Sequence, residues 1–390
     1  MKFIHAGDVH LGNPFSGLDK QLPFTLKKTV QTATIKAFEQ LIDDAISAEV
    51  DFVLFPGDLY NSAENSPFIQ EVVSKQFKRL SDVNIDVFLS FGNHDFEADT
   101  RNHLPWPNNI HVFHQEVETK IKILHSGEKV ALTGFSYQTQ RQTEKIIDDF
   151  PSKGDTDYQI GLYHGALGVA GDPYAPFSLS DMLQKNYDYW ALGHIHIRQT
   201  LNEQPFIGYS GVLQSLNRKE TGDKGYYLVH SENQRLIPEF KNIAPINWNS
   251  TTISSMTDET DLIDQIISLK NDKITFWSIT ITAQIDATII ERINSGVTLD
   301  KLRDQLPTNM WVVRLSVANA RQLSLVSDNI DQQYWTGALD KVFEEPNITD
   351  YLPSQVPVFI REHFMSDDGQ EELQNAMEQL IAERRQNNED

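Results

Sequence analysis

The chain has 390 residues, 39% hydrophobic and 10% aromatic, enough for a large core and for more than one domain. It contains no cysteine, which excludes disulfides and thiolate metal sites, and no apolar run near the ~20 residues of a membrane helix. Net charge is −22, so any grip on nucleic acid must come from a local basic patch, from divalent cations or from a partner chain.

The first apolar run, residues 3–6, reads as a buried strand and leads into Asp8-Val9-His10. A strand interrupted by Asp8 does not read as a signal peptide, and the lack of cysteine fits a reducing cytoplasm. Residues 25–48 carry Leu26, Val30, Ala33, Ala37, Leu41, Ile42 and Ala45 at helical spacing. Residues 68–80 repeat the pattern with Phe68, Val72, Val73, Phe77 and Leu80. Buried strands are expected at 52–55 and 87–91. From about residue 111 strands become denser, at 120–124, 130–136, 159–163, 189–192, 205–209, 225–229 and 236–240, with helices near 140–149 and 178–184. The mixture predicts an α/β chain with two sheets sandwiched between helices.

Residues 242–255 are polar and include Pro245, which reads as a domain boundary. Beyond it, strands at 273–285 and 311–318 and helices near 258–270, 298–305 and 330–343 predict a small α+β domain without a catalytic motif. Residues 344–390 hold twelve acidic residues against Arg361, Arg384 and Arg385. Within that acidic tail, 370–386 places Leu373, Ala376, Met377, Leu380 and Ile381 on one helical face, either for a partner or for its own domain.

Four motifs each follow one of the buried strands: Asp8-Val9-His10, Gly57-Asp58, Gly92-Asn93-His94-Asp95 and Gly193-His194-Ile195-His196. Side chains placed where strands end converge in the crevice outside the carboxyl edge of an α/β sheet. Two divalent cations about 3.5–4 Å apart can clamp a phosphoryl group and generate hydroxide at neutral pH. One carboxylate must bridge such a pair, and Asp58 is the candidate. Asp8 and His10 can point the same way from a strand end, and His194 and His196 repeat that geometry. Oxygen and imidazole donors without sulfur suit manganese, iron or zinc. Gly-Asp and Gly-Asn are also ordinary turn dipeptides, but four such motifs in this order argue for metal chemistry.

The order of these motifs resembles the calcineurin-like metallophosphoesterase superfamily. The opening, Phe3-Ile4-His5-Ala6-Gly7-Asp8-Val9-His10-Leu11-Gly12, resembles SbcD-type DNA repair exonuclease subunits. Asn13-Pro14-Phe15-Ser16-Gly17-Leu18 and Lys219-Glu220-Thr221-Gly222-Asp223-Lys224-Gly225-Tyr226 resemble the YhaO-type branch. The likeness covers residues 1–240 well and the remainder by layout only. It implies a four-layer αββα metallophosphoesterase sandwich at residues 1–243, a smaller α+β capping domain at 244–350, and a helical extension at 351–390 that docks on an ATPase.

The resemblance implies one metal held by Asp8, His10, Asp58 and His196, and a second by Asp58, Asn93, His164 and His194. His164 again follows a strand. His94 would contact the scissile phosphate and assist the leaving oxygen, a role that suits an imidazole, while Asp95 would support its loop. The implied activity is that of a manganese-dependent DNA nuclease, exonuclease or endonuclease, using a bridging hydroxide in a dinuclear site. The implied partners are DNA, an SMC-like ATPase of the SbcC type and a second copy of the chain, with no membrane. Arg198, Arg218 and Lys219 are candidate phosphate contacts. His5 reads as a core residue, and His103, His111, His114, His125, His230 and His363 match no motif.

One departure stands out. Three residues beyond the bridging aspartate, relatives tend to carry a histidine or an acid that pairs with the catalytic histidine; this chain has Asn61, which relays no proton but could orient His94 by a hydrogen bond. The loop at 61–65 also looks longer than in SbcD. Asn61 and the acidic charge motivate one alternative, a weakly catalytic scaffold that binds DNA ends or a partner, and the metal motifs are shared with another, a small-molecule or cyclic-nucleotide phosphodiesterase. The Arg-Gly of Ser/Thr phosphatases is missing after Asp58-Leu59-Tyr60.

Overall fold

The computed structural model describes residues 1–13, 15, 22–61, 66–96, 105–269 and 272–318. Residues 1–318 form one compact unit, and a second begins at Asn319, outside the described residues. The helices expected at 330–343 and 370–386, the acidic tail and most of the 61–65 loop fall in the segments not described.

Two six-stranded mixed sheets make the body. The first contains β1 (Lys2–His5), β2 (Phe52–Pro56), β3 (Asp86–Ser90) and β4 (Ile110–Val112), all parallel. It is completed by β11 (Gly225–Glu232), antiparallel to β1, and β12 (Arg235–Asn242). The second contains β6 (Lys129–Gly134), β7 (Tyr158–His164), β8 (Tyr189–Gly193) and β10 (Phe206–Tyr209), again parallel. Antiparallel β5 (Glu118–Ile123) and β9 (Gln199–Glu203) close its two edges.

Side-chain alternation decides what lies on each face. In β1 to β3, Ile4, Val53, Phe55, Val87 and Leu89 face α2 (Ala33–Ser47) and α3 (Pro67–Asp82). Their neighbours Phe3, Phe52, Leu54 and Phe88 turn the other way, onto Val130, Leu132, Ile160, Leu162, Tyr189 and Ala191 of the second sheet. The outer face of that sheet, with Tyr163, Trp190, Leu192, Ile207 and Tyr209, packs on α4 (Leu179–Gln184) and on a 3₁₀ turn, Ile146–Asp149. The result is a sandwich of helices, sheet, sheet and helices, as the alternating pattern predicts.

Among the described residues, Trp190 is the largest fully buried side chain. It stacks on Tyr187 (centroids 4.6 Å apart) and packs against Phe150. Its cross-strand partner is Gly161, where a Cβ would lie 2.2 Å from the indole. Trp190→Ala is therefore expected to cost about 3–5 kcal/mol, read from denaturant midpoints.

Two expectations are corrected. The helix at 25–48 is two helices, α1 (Phe24–Gln31) and α2, broken at Thr32. The Thr32 hydroxyl donates to the carbonyls of Lys28 and Thr29, and its backbone leaves helical geometry (φ −108°, ψ 2°). The helix near 140–149 is reduced to the 3₁₀ turn, because Gln142 is held in an extended bridge to Tyr174. The polar stretch 242–255 is mostly strand: β13 (Ile246–Ile253) pairs in parallel with β14 (Ile274–Ile281), which pairs with β15 (Met310–Val317).

This third sheet buries two different faces. Trp277, Ile279, Ile281 and Val312 pack with α5 (Glu259–Ile267), α6 (Ala287–Asn294) and α7 (Val297–Arg303). Ile246, Trp248, Phe276 and Trp311 pack instead on Phe15, Leu26 and Val30. Helices between successive strands are what parallel pairing requires. No helix among the described residues is long and apolar enough to cross a membrane.

Candidate metal centre

The loops leaving β1 and β2 run side by side. His10 and Leu11 donate backbone hydrogen bonds to Asp58 and Leu59, both at 3.0 Å, and Asn61 donates to Leu11. Asp8, His10 and Asp58 all have positive φ (49°, 49° and 51°), as does His194 (102°). Such geometry is uncommon for residues with a Cβ and is retained only where surrounding structure enforces it. Asp95 supplies part of that enforcement: its carboxylate accepts the backbone N–H groups of Gly92 (2.8 Å), Asp58 (3.2 Å) and Tyr60 (3.1 Å). Asp8 Oδ1 accepts His194 N at 2.8 Å, which ties the β8 loop to the β1 loop.

The motif glycines make room for His164. A Cβ at Gly57 would sit 2.2 Å from His164 Nδ1, and one at Gly92 would meet both Asp58 Oδ1 (2.3 Å) and the His164 ring (2.6 Å). His164 ends β7 and is fully buried between the two sheets' carboxyl edges.

Two sets of donors converge, with Asp58 facing both. In the first, His10 Nε2 lies 3.0 Å from His196 Nε2 and 3.7 Å from Asp58 Oδ2. Asp8, His10 and His196 form one group able to hold an ion. In the second, Asn93 Oδ1 lies 2.9 Å from His164 Nε2 and 3.1 Å from His194 Nδ1, while Asp58 Oδ2 lies 3.5 Å from His164 Nε2. Asp8, Asp58 and His164 form another such group.

The hydrogen-bond chemistry fits a cation at both places. His164 Nδ1 faces the Pro56 carbonyl at 3.0 Å and must donate to it. A neutral His164 then presents a lone pair at Nε2 to Asn93 Oδ1 and Asp58 Oδ2, so acceptor faces acceptor. His196 Nδ1 donates to Glu220 Oε1 at 2.7 Å, which directs the lone pair of neutral His196 at Nε2 toward His10. Asp8 Oδ2 is buried without a hydrogen-bond partner among the described residues. A buried carboxylate oxygen without a partner is costly; a cation supplies one.

Electrostatics point the same way. Burial drives His10 well below its ordinary value, and burial together with neighbouring His164 takes His194 down to about 3. Both rings are neutral, the state a ligand needs. Burial pushes Asp8 up to about 6. Burial works against the charge of Asp58 as well, but His164, His94 and His10 prevail and hold it below the usual carboxylate range. Burial also opposes a charged His196, yet Glu220, Asp8 and Asp58 raise it to about 9, so a cation bound at its Nε2 would displace a proton.

His94 lies beside the first set, its ring centroid 4.7 Å from that of His10. Its N–H donates to Asp58 Oδ1 (3.0 Å) and its Nδ1 faces the Asn61 carbonyl oxygen (3.2 Å). The Asn61 side chain, the expected means of orienting His94, is instead engaged by Asn13 Nδ2 at 2.7 Å; the backbone carbonyl takes that place. Arg198 is exposed over the Phe240 ring (4.0 Å), Arg218 is half-buried and Lys219 exposed. They flank His196 and its partner Glu220 in sequence. His5 is a satisfied core residue, bonded to Tyr189 Oη and the Leu192 carbonyl. Glu220 escapes the sequence reading as a site residue because it lies 24 positions beyond His196, with no spacing to signal contact.

Comparison with known proteins bears on what such a centre is for. A family model described as calcineurin-like phosphoesterase matches residues 1–198, just over half the chain. The chain belongs to this family. Calcineurin-like phosphoesterases use divalent metals, and the sequence likeness to the SbcD and YhaO types is borne out by the relatives. The chain is 38% identical over 257 residues to an uncharacterized metallophosphoesterase, YhaO, of Bacillus subtilis, a match covering 65% of this chain and 63% of that one. It is 23% identical to the DNA double-strand break repair protein Mre11 of Methanocaldococcus jannaschii, across 88% of this chain and 98% of the relative. It is 21% identical to an SbcCD nuclease subunit of Staphylococcus saprophyticus, across 63% and 70%.

Proposed function

We propose that this calcineurin-like phosphoesterase is a metal-dependent phosphodiesterase acting on DNA, the nuclease subunit of a cytoplasmic repair complex with an SMC-like ATPase. The observation that carries the reading is the pair of donor sets facing a shared Asp58 with His94 alongside. Relatives named as a break-repair protein and a nuclease subunit support DNA as substrate.

In this reading Asp8, His10, Asp58 and His196 hold one cation, and Asp58, Asn93, His164 and His194 hold the other. Two divalent ions, manganese before iron or zinc, supply Lewis acidity and a water acidified to attack near neutral pH. The chain's own contribution is placement. Asp95 and the motif glycines fix the loops, and His94 donates a proton to the leaving sugar oxygen. The three-stranded sheet with α5–α7 serves as a cap beside the cleft, and Arg198, Arg218 and Lys219 meet phosphates.

The test is to incubate the purified chain with manganese and end-labelled DNA, with bis-nitrophenyl phosphate in parallel and a chelator control. Chelator-sensitive DNA cleavage is expected, and the product ladder separates exonuclease from endonuclease action. Cleavage of the small diester alone, with the ATPase present, would overturn DNA as the substrate and favour a small phosphodiester.

A further inference from the structure

We propose that Glu220 is a positioning residue for the metal centre: it holds His196 in the tautomer whose Nε2 lone pair faces Asp8, His10 and Asp58. The proposal rests on the reading of those residues as cation ligands. Glu220 is buried, and both its oxygens are committed. Oε1 accepts His196 Nδ1 (2.7 Å) and Asn217 Nδ2 (2.8 Å), and Oε2 accepts Leu216 N (2.7 Å). Its backbone carbonyl accepts the Ser215 hydroxyl at 2.6 Å. A carboxylate fixed on this many sides can hold an imidazole ring in one orientation, the arrangement that raises the basicity of a metal-ligating histidine.

The brace behind Glu220 comes from outside the part of the chain that matches the family model. Gln214, on the same loop, grips β13 at both backbone atoms of Ile246: Oε1 accepts its N–H at 3.0 Å and Nε2 donates to its carbonyl at 2.9 Å. Gly222 N donates to the Trp248 carbonyl at 3.1 Å. The first strand of the third sheet therefore fixes the loop that orients His196.

Manganese titration of the full chain by calorimetry, with bound metal counted after dialysis, tests this. The wild type is expected to bind two ions. Glu220→Ala is expected to weaken one of the two by about 10–100-fold and spare the other, with the metal-free melting temperature little changed. Glu220→Gln, which can still accept the Nδ1 hydrogen through its amide oxygen, is expected to recover part of that loss; it also serves if the alanine variant fails to fold. Two ions bound by both variants at wild-type affinity would overturn the proposal. So would equal weakening of both ions together with a lowered metal-free melting temperature, since that marks a general structural role. A wild type that binds no manganese would overturn the metal reading beneath it, an outcome distinct from the others.

Discussion

Asp58→Asn is expected to abolish binding of both cations and to lower diester hydrolysis by at least about 10³-fold. The substitution keeps the size and one oxygen of the side chain, so it isolates charge. Asp58 Oδ2 lies 3.7 Å from His10 Nε2 and 3.5 Å from His164 Nε2, so one carboxylate oxygen faces an imidazole of each donor set. Losing it removes negative charge from two places at once, in a buried site where that charge is least screened. Metal ions supply several kcal/mol of transition-state stabilisation, and each 1.36 kcal/mol is tenfold in rate. The binding readout is thermal. Manganese at about 100 times its dissociation constant should stabilise the wild type by about 2.7 kcal/mol per bound ion, and that shift should vanish in the variant. Retention of two ions by Asp58→Asn would show that Asp58 does not bridge them.

The sandwich was legible because its strands are short apolar runs and its ligands sit where those runs end. Phe3 and Ile4, or Phe52 and Val53, show no alternation in the sequence, since both faces of these strands are buried. The sequence therefore identifies strands there without saying which residue faces which layer. Segment 242–255 hides a strand, and 140–149 misled for a local reason. In β13 the apolar residues Ile246, Trp248 and Ile253 are spaced among Asn, Ser and Thr, and its partner is nearly thirty residues away. Gln142 has ordinary helix chemistry and is pulled into a bridge by Tyr174. Within the site, motif spacing finds residues that lie close together on one loop. It cannot find Glu220, whose contact with His196 depends on how a later loop returns past β8.

His94→Asn is expected to reduce the rate of DNA cleavage by about 10²–10⁴-fold, the range for removing a general acid, while leaving two manganese ions bound. Its ring is oriented by a backbone carbonyl, that of Asn61, at 3.2 Å. A carbonyl accepts the Nδ1 hydrogen and takes no proton itself, so Nε2 is the atom left for chemistry. It follows that Asn61→Ala should change the rate far less than His94→Asn, because the side chain of Asn61 serves Asn13 and its carbonyl survives the substitution. A rival assignment is geometrically open: His10, Asp58 and His94 also gather closely enough to hold an ion. Metal counting separates the two. If His94→Asn loses one ion along with its activity, His94 is a ligand. If both ions remain and only the rate falls, His94 acts on the substrate, held in place by the Asn61 backbone carbonyl.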